Sequence, residues 1–162
     1  MKPVQTFVKV AQHALGGPHD VLITLGLGSC VAICLHDRVA KVGGLAHVLL
    51  PEPALARDHT NPSKFASTAV PLLVQEMGER GARAGRLEAR LVGGASMFTA
   101  LMVPGSLNMG ERNVRATREA LRRVGIPILG ESVGGDFGRS VRFTVAEGKT
   151  VVSSVGKADV HL

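Results

Sequence analysis

Eight short apolar runs, each bounded by Gly, Pro or charged turns, interleave with only two stretches of helical periodicity, and a chain built this way folds as an α/β unit. The runs cover residues 6–12, 21–25, 31–36, 42–50, 87–92, 126–131, 140–145 and 150–155. Helices are expected over 64–80, after Asn61-Pro62-Ser63, and over 111–124, closed by Gly125 with Pro127 just beyond. Both end in arginines, which suits the helix dipole. Pro71 lies inside the first and removes a backbone bond there, so a kink or a late start is expected. Glu147-Gly148-Lys149 reads as the turn of a closing hairpin. No linker, repeat or low-complexity tract divides the chain, and a length near 160 residues buries roughly two thirds of the unfolded surface. One domain over 1–162 follows.

An apolar fraction of 45% with 20% charged residues belongs to a folded chain rather than a disordered one. No apolar run approaches the roughly 18 residues of a membrane span, and Met1-Lys2-Pro3-Val4-Gln5 lacks the apolar centre of a signal peptide. The expectation is a cytoplasmic protein with no membrane insertion. Cys30 and Cys34, if joined by a strand, lie roughly 13 Å apart at about 3.3 Å per residue and cannot bridge. Free thiols fit a reducing compartment. The formal charge of +6 steers acidic partners toward the surface. With no Trp, no Tyr and no basic arm, the stacking platforms of nucleic-acid binders are missing. Arg112, Arg115, Arg118, Arg122 and Arg123 recur at helical spacing and read as a solvated helix face.

The chemistry concentrates in one turn. Thr24-Leu25-Gly26-Leu27-Gly28-Ser29-Cys30 sets a thiol at the end of a glycine-hinged link between two apolar runs. In Leu45-Ala46-His47-Val48-Leu49-Leu50-Pro51 a lone imidazole sits within a strand pattern, where a buried ring needs a partner. A hairpin centred between Arg38 and Val39 puts Cys30 directly opposite His47, with Cβ atoms about 4.5–5.5 Å apart. A free cysteine is only a few per cent thiolate at pH 7, and an adjacent imidazole changes that. His47 would hold Cys30 as thiolate for attack on an acyl carbon, then protonate the leaving group and activate water. Gly28 and Ser29 are candidates for supporting the oxyanion. Thr24 is a candidate orienter of the ring through its hydroxyl or carbonyl.

The residues alone leave a second reading open, a buried thiol beside a satisfied core histidine. Cys34, inside Val31-Ala32-Ile33-Cys34-Leu35, reads as an inert small hydrophobe. A zinc site from Cys30, Cys34, His36 and His47 lacks the paired short spacings of structural zinc. Val31 stands where a dinucleotide fingerprint needs its third glycine. His13, His19, His59 and His161 read as solvated, and Gly43-Gly44, Gly93-Gly94 and Gly134-Gly135 as turns and bulges.

The blocks around Thr24 to Ala32 and Gly43 to Pro51 resemble the signature of the CheD chemoreceptor glutamine deamidases. Leu91-Val92-Gly93-Gly94-Ala95-Ser96-Met97-Phe98, Met109-Gly110-Glu111-Arg112-Asn113 and Gly134-Gly135-Asp136-Phe137-Gly138-Arg139 extend the likeness in the same order over nearly the whole chain. The resemblance implies a four-layer α/β/β/α sandwich with mixed sheets, related to deamidases of the cytotoxic necrotizing factor type. It implies a Cys-His-Thr triad on Cys30, His47 and Thr24, using no cofactor and no metal. The implied substrates are glutamine side chains on the cytoplasmic helices of chemoreceptors, with receptor methyl esters as a secondary substrate. The implied partner besides the receptor is the CheC phosphatase. The alternative is an interaction module that occupies receptors and CheC with little catalysis. The loop 54–62, carrying Arg57, Asp58 and His59, is a solvated connection or a flank of the site.

Overall fold

The computed structural model describes residues 3–96 and 108–162. Met97 and Phe98 of the third block, Leu91 to Phe98, and Met1 and Lys2, lie outside the described residues. The strands are β1 Val4–Phe7, β2 His13–Gly16, β3 Asp20–Leu27, β4 Val31–Asp37, β5 Val42–Val48, β6 Leu87–Gly93, β7 Ile128–Val133, β8 Arg139–Thr144, β9 Lys149–Ser153 and β10 Val160–His161. The helices are α1 Ala66–Glu79 and α2 Met109–Arg123. One sheet has the order β1-β3-β8-β9-β10 and the other β2-β5-β4-β6-β7. Each contains one parallel pair, β1 with β3 and β6 with β7, so both sheets are mixed as expected.

Every residue of β4 and β5 is buried, which explains why their sequences run apolar without alternation. One face of this central pair, with Val31, Ile33, Leu35, Ala46 and Val48, packs under α1 and α2. The other, with Ala32, Cys34 and Leu45, packs on Leu22, Val141 and Phe143 of the opposite sheet. Of the four expected layers the described residues fill three: helices, second sheet, first sheet.

The helix α1 runs through Pro71 instead of starting late. Its core stripe is Ala66, Ala69, Val70, Leu73 and Met77, whereas Pro71 is exposed, so the missing N–H falls on the solvent side. The Asn108 side chain accepts from Glu111 N and donates to the Glu111 carboxylate, both at 2.9 Å, closing the start of α2 reciprocally.

The run 6–12 is not one strand. Its first part is β1, parallel to β3 in the first sheet, after which the chain turns at Ala11 (φ +61°) and enters the second sheet as β2. Propensity sees one apolar run, but the two halves satisfy their backbone bonds in different sheets. His13 is half-buried rather than solvated: Nδ1 lies 2.6 Å from Ser63 Oγ and Nε2 2.8 Å from Glu76 Oε1.

Candidate active site

The β4–β5 hairpin sets the geometry. Asp37 Oδ1 accepts from Val39 N and Ala40 N, both at 2.9 Å, and Lys41 takes φ +54°, which makes a four-residue turn pairing Asp37 with Val42. The hairpin is therefore centred one residue later than expected, and Ala32, not Cys30, stands opposite His47. The error moves the pairing by two positions, so the face is preserved. Cys30 becomes the diagonal neighbour of His47 on the inter-sheet side, a relation that spans about 7–8 Å.

Thr24 reaches the same place from β3 of the other sheet. Beyond it the ladder with β8 shifts register between Thr24 and Leu27, where Gly26 adopts φ +68°. Past this bulge Leu27 still pairs with Arg139, and the chain then enters the turn that delivers Cys30 to the head of β4. Thr24, Cys30 and His47 are 1%, 8% and 1% exposed.

Thr24 Oγ1 lies 2.6 Å from Val8 O and 2.7 Å from His47 Nδ1. A hydroxyl has one proton, and a carbonyl can only accept, so that proton goes to Val8 O. His47 Nδ1 must then be the donor to Thr24 Oγ1, which fixes the tautomer of the neutral ring and leaves Nε2 with a free lone pair. Nε2 is buried and has no hydrogen-bond partner among the described residues, Cys30 Sγ included. The backbone of His47 is held as well: Ala11 N donates to its carbonyl at 2.8 Å and its N–H donates to Gln12 O at 3.0 Å.

Burial lowers the His47 pKa below the ordinary histidine value, with the Val8 carbonyl opposing in part. Burial raises the Cys30 thiol, opposed by its own backbone N–H. Both shifts favour the uncharged forms of thiol and imidazole. Cys34 is fully buried, its thiol pushed up to about 12, chiefly by desolvation. His36 Nε2 is committed to Val145 O at 2.7 Å. Among the described residues no three His, Cys, Asp or Glu side chains converge as a metal site.

The turn before Cys30 is pinned by its carbonyls. Gly28 O accepts from Ala95 N and Cys30 O from Gly94 N, both at 2.8 Å, and Ser29 O accepts from Asn113 Nδ2 at 2.9 Å. In a planar trans peptide the following N–H points away from the carbonyl. The N–H groups of Ser29 and Cys30 therefore face opposite to these anchors, whereas the N–H of Gly28 is not set by them. Gly93 comes so close that a Cβ there would overlap the Cys30 carbonyl oxygen.

Asn113 and Gly93 carried no site role in the sequence reading. Asn113 could have been found as the one amide on the buried stripe of α2, where a polar side chain needs partners. Most of 54–62 is exposed, but Asn61 Nδ2 donates to Ala11 O at 2.8 Å, tying the end of that loop to the segment beside His47.

The family model described as CheD chemotactic sensory transduction matches residues 49–154. A probable chemoreceptor glutamine deamidase CheD of Caldanaerobacter subterraneus is 45% identical over 136 residues, 84% of each chain. The chemoreceptor glutamine deamidase CheD of Thermotoga maritima is 44% identical over 149 residues, 92% of this chain and 91% of that protein. A Neisseria meningitidis protein of the DUF152 family resembles the fold with a TM-score of 0.51 at 10% identity, covering 83% of this chain. This chain spans 65% of that protein's length, and the likeness concerns the fold alone.

Proposed function

Because the chain belongs to the CheD family, we propose that it is a chemoreceptor glutamine deamidase, converting receptor glutamine side chains to glutamate with release of ammonia. The observation that carries the catalytic assignment is the chain Val8 O, Thr24 Oγ1, His47 Nδ1, which leaves a buried, unpartnered Nε2 on the face it shares with Cys30.

In this reading a rotation of the Cys30 side chain brings Sγ to Nε2 as substrate arrives. Sγ attacks the amide carbon while its proton passes to Nε2, giving a tetrahedral oxyanion and an imidazolium. Thr24 Oγ1 accepts from Nδ1–H and steadies that imidazolium. The oxyanion takes hydrogen bonds from the N–H groups of Ser29 and Cys30, with Gly28 supplying the pinned carbonyl that orients the first of them. Nε2 returns its proton to the amide nitrogen, the C–N bond breaks, and ammonia leaves. Water then attacks the thioester with Nε2 taking its proton, and the C–S bond breaks to yield glutamate and the thiol.

The reading takes residues 1–162 as one deamidase domain working in the cytoplasm, where receptor signalling helices lie, and includes the CheC phosphatase as a partner. The charge of +6 supports attraction to an acidic receptor helix. A receptor cytoplasmic fragment incubated with wild type and with Cys30→Ala tests it. A Gln-to-Glu mass change in the wild-type sample alone is expected, whereas equal receptor binding with no mass change in either would mark an interaction module. A methyl-esterified fragment in parallel reports the secondary activity.

A further inference from the structure

The β4–β5 ladder ends at Val31 and Val48, one residue short of Cys30 on one strand and one residue past His47 on the other. Beyond that pair the strands have no shared backbone bonds. The next carbonyls available on either side, Ser29 O and Leu49 O, are both acceptors and cannot bond each other. Asn113 Nδ2 donates to both, at 2.9 Å and 3.0 Å. Its side chain is fully buried, projecting from a stripe of α2 that otherwise consists of Gly110, Val114, Thr117, Ala120 and Leu121. A primary amide has two N–H groups about one nitrogen, which is what two facing carbonyls require. The opposite orientation would aim its oxygen at two oxygens, so the amide is fixed.

We propose that Asn113 is a positioning residue: its amide is the terminal rung of the hairpin, and it sets the separation of the Cys30 thiol from His47 Nε2. It holds Ser29, the residue before Cys30, against Leu49, two residues after His47. No other side chain among the described residues bonds both segments. The inference rests on the reading of Cys30 and His47 as nucleophile and base. Asn113 hydrogen-bonds to neither side chain, so its effect travels through backbone placement.

The test is a double-mutant cycle on thiol reactivity, with Cys30 carboxamidomethylation by iodoacetamide followed by peptide mass spectrometry between pH 5 and 9. Asn113→Leu keeps the branched four-atom side-chain skeleton and removes both donors. It is expected to reduce the His47-dependent alkylation rate at neutral pH, and kcat for deamidation by about 10- to 100-fold, the scale of an ångström-sized misplacement. In a His47→Gln background the same substitution is expected to leave the alkylation rate unchanged, because there is no base left to misplace. Should Asn113→Leu not fold, Asn113→Ser keeps one donor and must show the same non-additivity at smaller size. Equal losses in both backgrounds, or an unchanged kcat, would overturn the proposal. The alkylation cycle needs no receptor, so its failure is distinct from a failure to deamidate: coupling without deamidation supports the positioning role and sinks the substrate assignment.

Discussion

Replacing Thr24 by Val removes the hydroxyl and keeps the side chain's shape. Two consequences follow from a residue 1% exposed whose oxygen sits between Val8 O and His47 Nδ1. In the resting state the Nδ1–H and the Val8 carbonyl lose a shared partner, and a buried polar group left unpaired costs about 1–3 kcal/mol. In the reacting state Nδ1–H belongs to an imidazolium, and a hydrogen bond to a charged group contributes about 1.5–3 kcal/mol. At about 1.36 kcal/mol per tenfold, loss of that bond lowers kcat about 10- to 150-fold. The ring also loses the contact that selects its tautomer, which adds to the effect on kcat and not to substrate binding. The assay is steady-state ammonia release from a receptor cytoplasmic fragment, measured well below each variant's Tm, with Thr24→Ser as the control that retains the oxygen. The expected pattern is kcat reduced in the Val variant, KM within about twofold, and the Ser variant near wild type. A Thr24→Val enzyme with wild-type kcat would refute the tautomer argument, since among the described residues Thr24 Oγ1 is the hydrogen-bond partner of Nδ1.

The pH dependence of kcat/KM should have its acidic limb below pH 6.5, because burial depresses His47 and the base stays neutral down to its own folded pKa; a midpoint at or above 6.5 in a pH–rate profile contradicts it. His47 and His36 are both lowered, chiefly by burial, so the stability they confer is complete above pH 6.5 and drains as pH falls through their folded values, seen as a Tm that drops with acidification. At Asp37 the largest single effect, burial, raises the pKa, but the Arg86 guanidinium and the N–H groups of Ala40 and Arg83 together outweigh it and hold the carboxyl at about 2 against 3.8. That difference contributes about 2 kcal/mol at neutral pH, present above pH 3.8 and lost as pH falls through about 2. Asp37→Asn, which also loses the Arg86 pair, should destabilise by about 2–4 kcal/mol in urea unfolding, and a loss under about 0.5 kcal/mol would show the turn does not depend on the charge. Gly93→Ala, with φ +114° and a Cβ driven into the Cys30 carbonyl, should cut activity more than about 100-fold, and normal turnover would mean the turn can shift freely.

Local sequence determined the element types, because periodicity and turn residues act within a few positions of themselves. The strands 31–36, 42–50 and 87–92 and both helices were legible to within a few residues. Cys30 and His47 stand out as candidates because a thiol on a glycine hinge and a ring in an apolar run are each anomalous where they stand, whereas Thr24 joins them as third member through the family resemblance. Pattern also determined which face Cys30 and His47 share, since the side-chain alternation survives a two-residue error in register.

Tertiary structure decided what depends on groups far apart in the chain. Asp37, held in place by Arg86 forty-nine residues on, shapes the turn and so the register that periodicity leaves open. The split of 6–12 between two sheets depends on backbone bonds to Ile23 and His47, which no propensity within the run encodes. The contact of Thr24 with His47 joins the two sheets across the core. Asn113 closes the hairpin from a helix more than sixty residues away. Side-chain alternation can say which way a residue faces, but what it faces is set by the closure of the whole chain.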